Sequence, residues 1–253
     1  MLNTIRHPGP AEAPPLVIAH GLFGSAKNWG AIAKRLSQGR EVVAVDMRNH
    51  GDSPRAPVHD YPAMAADLAE VLESLGEADL LGHSMGGKAA MTLALTRPEL
   101  LRRLIVADIA PVAYGHSQIG YVEAMKALDL APLRRRSEAD AALKASVPEA
   151  GVRAFLLQSL TVDPEGAAWK LNLDALEDQM PAIMGFPDLS GPFKGPTLFL
   201  TGAKSDYVTE AHWPRIEALF PDLRRVAIEG AGHWLHAEAP EAFCAAVEAF
   251  LTE

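Results

Sequence analysis

Residues 79–96 read DLLGHSMGGKAAMTLALT, and this stretch decides the fold. A short apolar run ends at Leu81, the pentapeptide Gly82–Gly86 fits the pattern G-x-S-x-G, and an alanine-rich helical segment, Gly87–Leu95, follows. A serine between a strand and a helix lies on a sharp turn whose neighbours must be small, and the turn exposes its hydroxyl at the edge of a sheet. Ser84 is therefore the candidate nucleophile. The alternative is a glycine-rich turn whose serine only caps a helix.

Strand and helix patterns alternate on both sides of this stretch. Short apolar or β-branched runs predict strands at Leu16–Ala19, Glu41–Val45, Asp79–Leu81, Arg103–Ala107, Thr197–Thr201 and Arg224–Ile228. Apolar residues spaced three and four apart predict helices at Trp29–Leu36, Met64–Leu75, Ala89–Leu95, Ala211–Phe220 and Glu241–Leu251. This alternation predicts an α/β fold with a mostly parallel central sheet and helices on both of its faces.

The alternation breaks between about Pro111 and Pro192. Helical patterns occur there, but we find no convincing strand; the patterns cover Tyr121–Leu128, Glu138–Ala145, Gly151–Leu160 and Asp174–Met184. We therefore expect a core formed by residues 1–110 and 192–253 and a helical cap formed by residues 111–191. Open parallel sheets bind ligands at the carboxyl edge of their strands, where such a cap shapes a pocket.

Composition narrows the class of protein. The 23 basic and 32 acidic side chains give a net charge of −9, which argues against a nucleic-acid partner. The single cysteine, Cys244, excludes an intrachain disulfide and a cysteine-rich zinc site, and we expect no bound metal. No apolar run is long enough to span a membrane, and the first residues do not resemble a secretory signal. We expect a cytoplasmic globular protein whose oligomeric state the sequence leaves open.

A serine hydroxyl needs a base that removes its proton. In folds of this type the order along the chain is serine, acid, histidine, so the base should be a late histidine. His233 follows the last predicted strand within Ala231–Trp234 and is the candidate base. His236 is expected to lie behind it or in the following helix.

Acyl transfer also requires hydrogen-bond donors for the oxyanion. The segment His20–Gly24 follows the first predicted strand, and its glycines allow the backbone to approach the substrate closely. We predict that the Leu22 amide and the Met85 amide, next to the nucleophile, form the oxyanion hole.

Three aspartates compete for the role of the acid that orients the imidazole. Asp108 ends one predicted strand, Asp206 follows another, and Asp174 lies in the inserted segment, where a position at a helix start suits it better. Asp46 closes the strand before MRNHGDS, and we expect it to support that loop. The residues alone leave the choice of acid open.

Five motifs together resemble the α/β-hydrolase superfamily and, more narrowly, the YbfF-type esterases and their mitochondrial abhydrolase relatives. They are HGLFGS, DMRNHGDSP, GHSMGGKA, DIAPVAY and GAGHWLHAE. The resemblance covers the chain from about Leu16 to its end and is weakest in the insert. It implies a carboxylic-ester or thioester hydrolase with Ser84 as nucleophile, His233 as base and no cofactor.

The resemblance also bears on the acid. The superfamily usually places the acid third after the glycine of G-x-x-D-x-x-V, where this chain has Ser205, with Asp206 one residue later. In the YbfF-like group the acid follows the preceding strand, which corresponds to Asp108, and a serine at the Ser205 position lies near the imidazole as an auxiliary group. The resemblance therefore favours Asp108 over Asp206.

We expect a small-molecule ester or thioester substrate with a short to medium acyl chain. Candidates to line an acyl pocket, each of which could instead pack in the core, are Phe23, Trp29, Phe155, Leu156 and Trp169. The alternatives are related chemistry on the same fold (hydrolysis of a C–C bond, a lyase step or cofactor-free haloperoxidation) and a non-catalytic small-molecule receptor.

Overall fold

The computed structural model describes residues 1–252, and a seven-stranded sheet forms their centre. Nine strands lie within these residues: β1 (Thr4–His7), β2 (Leu16–Ala19), β3 (Val42–Val45), β4 (Ala78–His83), β5 (Leu101–Ala107), β6 (Leu160–Asp163), β7 (Gly166–Trp169), β8 (Thr197–Gly202) and β9 (Leu223–Ile228). The order in the central sheet is β1-β3-β2-β4-β5-β8-β9. Every neighbouring pair in it is parallel except β1 with β3.

The helices occupy both faces of this sheet. Within the same residues they are α1 (Gly30–Leu36), α2 (Tyr61–Leu75), α3 (Met85–Thr96), α4 (Ile119–Ala127), α5 (Arg136–Leu143), α6 (Ala150–Leu156), α7 (Leu173–Asp178), α8 (Met180–Met184), α9 (Trp213–Leu219), α10 (Leu235–Glu238) and α11 (Pro240–Leu251). None of these helices in residues 1–252 is long and apolar enough to cross a membrane.

Successive residues of the inner strands β2, β3, β4, β5 and β8 are buried on opposite faces of the sheet. In β2, Leu16 and Ile18 pack with α1 and α11, whereas Val17 and Ala19 pack with α2 and α3. Because both faces are covered, the strands are continuous apolar runs rather than alternating ones. The predicted α/β fold with a mostly parallel sheet is confirmed.

One strand of the sheet was not predicted. β1 has the sequence TIRH and lies antiparallel at the edge of the sheet, with its side chains half-buried or exposed. Such an edge strand lacks the apolar run by which the buried strands were recognised. Helix α2 also begins three residues before the predicted Met64, because the Asp60 side chain accepts the Ala63 amide and caps it.

The insert differs from the prediction in two respects: it contains a β-hairpin, and one predicted helix is divided into two. Strands β6 and β7 pair antiparallel across the turn at Pro164 and Glu165, so the expectation of no strand there was wrong. The hairpin was missed because each strand has only four residues and β7 includes two alanines, which have low strand propensity. The predicted helix Gly151–Leu160 also extended into the first residue of β6. The predicted helix Asp174–Met184 is split into α7 and α8, with Pro181 in the first turn of α8.

Residues 111–191 thus contain α4–α8 and the β6–β7 hairpin, whereas all seven strands of the central sheet lie outside them. The division of the chain into a core (1–110 and 192–253) and a cap (111–191) stays a prediction.

Candidate active site

Ser84 lies at the sharp turn between β4 and α3. Its backbone has φ 53° and ψ −119°, a left-handed conformation that is rare for a residue with a side chain. The turn requires glycines on both sides: a Cβ on Gly82 would lie 2.3 Å from the Gly86 carbonyl oxygen, and a Cβ on Gly86 would lie 2.3 Å from the Ala19 carbonyl oxygen. The close approach of the backbone explains the pattern G-x-S-x-G at this position.

His233 comes from the loop between β9 and α10 and faces this serine. Its Nε2 lies 3.1 Å from Ser84 Oγ, and its Nδ1 lies 2.7 Å from Asp108 Oδ2. An ionised carboxylate only accepts hydrogen bonds, so Nδ1 carries the proton and Nε2 is left to accept from the serine hydroxyl. This is the tautomer that a general base toward Ser84 requires.

Asp108 is completely buried directly after β5. Its own backbone has φ 54°, a bend that costs a residue with a side chain roughly 1–2 kcal/mol. The carboxylate accepts the Gly202 amide on Oδ1 at 3.0 Å and the Ser205 hydroxyl on Oδ2 at 2.5 Å. These two donors from the end of β8 hold the carboxylate beside the imidazole.

The other two candidate acids lie elsewhere. Asp206 is exposed, and it has no contact with His233 among the hydrogen bonds and ion pairs of residues 1–252. Asp174 is 83% exposed and pairs with Lys126 on the surface of the insert. Ser205 therefore lies at the site, whereas Asp206, one residue later in the chain, faces solvent.

Three further groups hold the His233 loop, and the sequence did not single out any of them. The Tyr207 ring stacks on the imidazole, with centroids 3.8 Å apart and planes 14° apart. Glu238 accepts the amides of Gly232 and Trp234, which flank the histidine. His83, next to Ser84 in the turn, has its Nε2 2.9 Å from the His233 carbonyl oxygen and donates to it. Only their closeness in sequence to Ser84, Asp206 or His233 could have indicated them.

The segment that we predicted to supply an oxyanion donor packs directly against Ser84. A Cβ on Gly21 would lie 3.0 Å from His83 Nδ1 and 3.1 Å from the Ser84 Cβ, a tight contact that glycine avoids. The Gly24 amide donates to the Gly21 carbonyl and the Phe23 amide to His50, whereas the Leu22 amide has no acceptor among residues 1–252. The Met85 amide begins helix α3 and therefore has no partner within the helix.

A cavity of about 420 Å³ opens in front of Ser84. Of the predicted pocket residues, Phe23, Trp29, Phe155 and Leu156 line this cavity. The prediction for Trp169 was wrong: this side chain is buried outside the cavity lining, and its indole Nε1 donates to the Met125 carbonyl at 3.1 Å. Its position at the end of β7 directs it toward α4, and the sequence could not indicate this because the hairpin itself was missed.

The cavity also contains a buried lysine that the sequence analysis did not single out. Lys88 is 1% exposed, and its ammonium donates to the carbonyls of Met184 and Gly185 at 3.1 and 2.5 Å. It lies 4.6 Å from the centre of the Tyr114 ring. Burial lowers the pKa of Lys88 to about 7. Lys88 is the one charged residue of helix α3, and this was a visible signal of an unusual environment.

Two supporting residues lie where the sequence predicted. Asp46 accepts hydrogen bonds from the Ala26 and Asp52 amides and so supports the loop after β3. His236 lies in α10, and its ring stacks on Trp29 with centroids 4.2 Å apart. Burial lowers the pKa of His236 to about 3, so its imidazole is neutral at physiological pH.

Comparisons with known proteins bear on the family to which the chain belongs. Residues 14–240 match the family model described as the alpha/beta hydrolase fold. The chain is 45% identical over 253 residues to the mouse sn-1-specific diacylglycerol lipase ABHD11, covering 96% of this chain and 82% of that protein. It is 41% identical over 244 residues to Esterase YbfF of Escherichia coli, covering 94% and 93%.

Among solved structures, one named "Marine microorganism esterase" superposes with a TM-score of 0.93 at 38% identity, covering 99% of this chain and 100% of that one. The fold, the motifs and these relatives all lead to the same family, and the resemblance to YbfF-type esterases is confirmed. The chain belongs to the α/β-hydrolase fold family and is a carboxylesterase-type hydrolase.

Proposed function

We propose that this enzyme cleaves carboxylic esters or thioesters of short to medium acyl chains through a covalent acyl-enzyme on Ser84. The observation that carries the proposal is the pair of contacts from Ser84 Oγ to His233 Nε2 at 3.1 Å and from His233 Nδ1 to Asp108 at 2.7 Å. A hydroxyl, an imidazole and a buried carboxylate in this order form the set that activates a serine for attack on an acyl carbon.

In the first half of the reaction, Ser84 Oγ attacks the acyl carbon while His233 Nε2 takes its proton. The negative charge that develops on the carbonyl oxygen is held by the Leu22 and Met85 amides, and one such donor contributes on the order of 10²–10³ in rate. The imidazolium then protonates the departing alcohol or thiol, and the acyl group stays on the serine.

In the second half, a water molecule takes the place of the leaving group. His233 Nε2 removes a proton from this water, whose oxygen attacks the acyl carbon, and the acid product leaves as Ser84 regains its proton. Asp108 holds the imidazole in orientation throughout and stabilises its positive charge.

The preference for acyl length is supported by the size and lining of the cavity. A volume of about 420 Å³ is at the lower end of the range of ligand pockets. Phe23, Phe155 and Leu156 give it an apolar wall, which suits a hydrocarbon acyl group rather than a bulky polar one.

The lone buried cysteine, Cys244, agrees with a cytoplasmic location, which stays a prediction.

Covalent labelling by a fluorophosphonate probe tests the nucleophile directly. We expect one phosphonyl group on the native protein and none on Ser84→Ala, with Ser25→Ala as the control that still labels. Failure of the native protein to label would contradict the enzymatic proposal and favour a receptor function on the same fold.

A substrate panel tests the acyl group and the leaving group separately. We expect p-nitrophenyl esters of four to eight carbons to show higher kcat/KM than those of sixteen, and thioesters with the same acyl groups to be cleaved as well. Because the mouse relative is named a diacylglycerol lipase, a diacylglycerol with medium chains belongs in the panel. Higher kcat/KM for the sixteen-carbon ester would contradict the proposed chain length.

A further inference from the structure

The loop after β3 contains a histidine that the mechanism above does not use. His50 is 1% exposed, and its Nε2 accepts the Phe23 amide at 3.2 Å. Its Nδ1 lies 2.9 Å from the Arg48 carbonyl oxygen. Because a carbonyl only accepts, Nδ1 carries the proton and Nε2 presents its lone pair to Phe23. The contacts therefore specify one neutral tautomer of His50. Burial lowers the pKa of His50 well below its usual value, which agrees with a neutral imidazole.

The amide that His50 holds belongs to a residue in an unfavourable conformation. Phe23 has φ 65°, in the left-handed region that a residue with a side chain rarely adopts. Such a conformation persists only where the surrounding contacts determine it. The Phe23 ring also meets Tyr121 edge to face, with centroids 6.5 Å apart, so both its backbone and its side chain are held.

The neighbouring peptide is held from the other side by a second buried histidine. His20 Nδ1 donates to the Gly21 carbonyl at 2.7 Å, and His20 Nε2 accepts the Met47 amide at 3.0 Å. The Gly21 carbonyl and the Leu22 amide belong to one planar trans peptide and point in opposite directions. The next peptide plane, Leu22–Phe23, is the one that His50 holds. Only the two backbone torsions of Leu22 lie between these two planes.

We propose that His50 is a positioning residue for catalysis: it holds the Leu22–Phe23 peptide and thereby aims the Leu22 amide at the oxyanion. The inference rests on the proposed function. It gives the loop Arg48–Ser53 a part in catalysis, although no residue of this loop takes part in the reaction steps described above. Because the Leu22 amide must lie within hydrogen-bond distance of the oxyanion, freeing the Phe23 end of the loop weakens transition-state binding more than substrate binding.

Two substitutions at this position separate the contact with Phe23 from the contact with Arg48. In His50→Gln the side-chain amide oxygen replaces the Nε2 acceptor, and in His50→Asn the side chain keeps a donor for Arg48 but is too short to reach Phe23. We expect Gln to keep kcat within about threefold of the native value and Asn to lower it by about 10- to 100-fold, with KM within about threefold.

The affinity for a trifluoromethyl ketone, which forms an oxyanion on Ser84, supplies a second measurement. We expect its inhibition constant to rise in His50→Asn by the factor by which kcat/KM falls, because both depend on the same donor. Rates are divided by the fraction of serine that a fluorophosphonate titrates, so that loss of folded protein does not count as loss of catalysis.

Equal kcat values in the two variants, or a loss that lies in KM alone, would overturn the role of His50. A His50→Asn variant that loses kcat but binds the ketone as tightly as the native enzyme would overturn it too. These outcomes all require a native enzyme that hydrolyses esters and labels on Ser84. Absence of native turnover would instead contradict the proposed function, so the two failures are distinguishable.

Discussion

The Ser205 hydroxyl donates to Asp108 Oδ2 at 2.5 Å, and this is the same oxygen that faces His233 Nδ1 at 2.7 Å. Two neighbouring parallel strands of the sheet, β5 and β8, therefore contribute to one site: the aspartate directly follows β5, and the loop after β8 supplies the hydroxyl. The exposed Asp206 is the next residue along this loop. The site thus combines a carboxylate from one strand end with a serine from the next.

The first prediction concerns the acid. Asp108→Asn keeps the shape of the side chain but removes its charge, so the imidazole loses the partner that orients it and stabilises its cation. We expect kcat for a p-nitrophenyl ester to fall by about 10⁴-fold. The matched variant Asp206→Asn changes an exposed group, and we expect about twofold change at most. The reverse ranking in measured turnover would contradict the assignment of Asp108.

A second prediction separates Ser205 from the acid itself. Ser205→Ala removes one donor to the Asp108 carboxylate but leaves the Gly202 amide in place. A hydrogen bond to a charged group contributes about 1.5–3 kcal/mol, so we expect kcat to fall by about 10- to 100-fold. Ser190→Ala, at an exposed position, is the control and should leave kcat unchanged. A loss in Ser205→Ala as large as that in Asp108→Asn would mean that the serine does more than hold the carboxylate.

The third prediction concerns the ring that stacks on the base. Tyr207→Leu removes the aromatic face that packs on His233, whereas Tyr207→Phe keeps it and removes only the hydroxyl. An aromatic pair contributes about 0.5–1.5 kcal/mol beyond burial, so we expect Leu to lower kcat about three- to tenfold and Phe to keep it. A loss in the Phe variant equal to that in Leu would assign the effect to the hydroxyl, which accepts from Gln118.

The fourth prediction concerns stability rather than activity. Burial lowers the pKa of Lys88 to about 7 from the usual 10.5, so between these pH values the folded chain has lost a proton that the unfolded chain still binds. Unfolding then takes up a proton, and the free energy of unfolding rises with pH across this interval. The slope for this group is up to about 1.4 kcal/mol per pH unit.

Urea denaturation at pH 7.5, 8.5 and 9.5 measures this slope for the native protein and for Lys88→Met. We expect the native free energy of unfolding to rise relative to that of the variant as the pH increases. If the free energy of unfolding changed with pH by the same amount in both proteins, Lys88 would keep its proton in the folded state. The difference between the two proteins is the informative quantity, because other groups titrate equally in both.

The fold could be predicted from the sequence because its signals are local. The buried strands are apolar runs, and the helices have apolar residues spaced three and four apart. The turn at Ser84 is marked by glycines, which the close backbone contacts there require. The edge strand β1 and the β6–β7 hairpin were missed because half-exposed or alanine-containing four-residue strands carry no such signal.

The site could be predicted only in part. Ser84 was a candidate from its motif, His233 from its late position after the last predicted strand, and Asp108 because it directly follows a predicted strand; the carboxyl ends of parallel strands meet at one edge of a sheet. Trp169 was misplaced, and Tyr207, Lys88 and His50 were not singled out. Their positions depend on packing between segments that are far apart in the chain, which periodicity does not report.

The amino-acid sequence by itself determined the family, the serine at the sharp turn and the late histidine that faces it, since motif residues and strand ends follow from short-range patterns. The tertiary structure alone decided which of three aspartates lies against the imidazole and which aromatic side chains reach the cavity. The physical reason is that a bend such as the one at Asp108, with φ 54°, turns a side chain toward one neighbour rather than another. That choice depends on the contacts made by the whole fold, here with Gly202, Ser205 and His233.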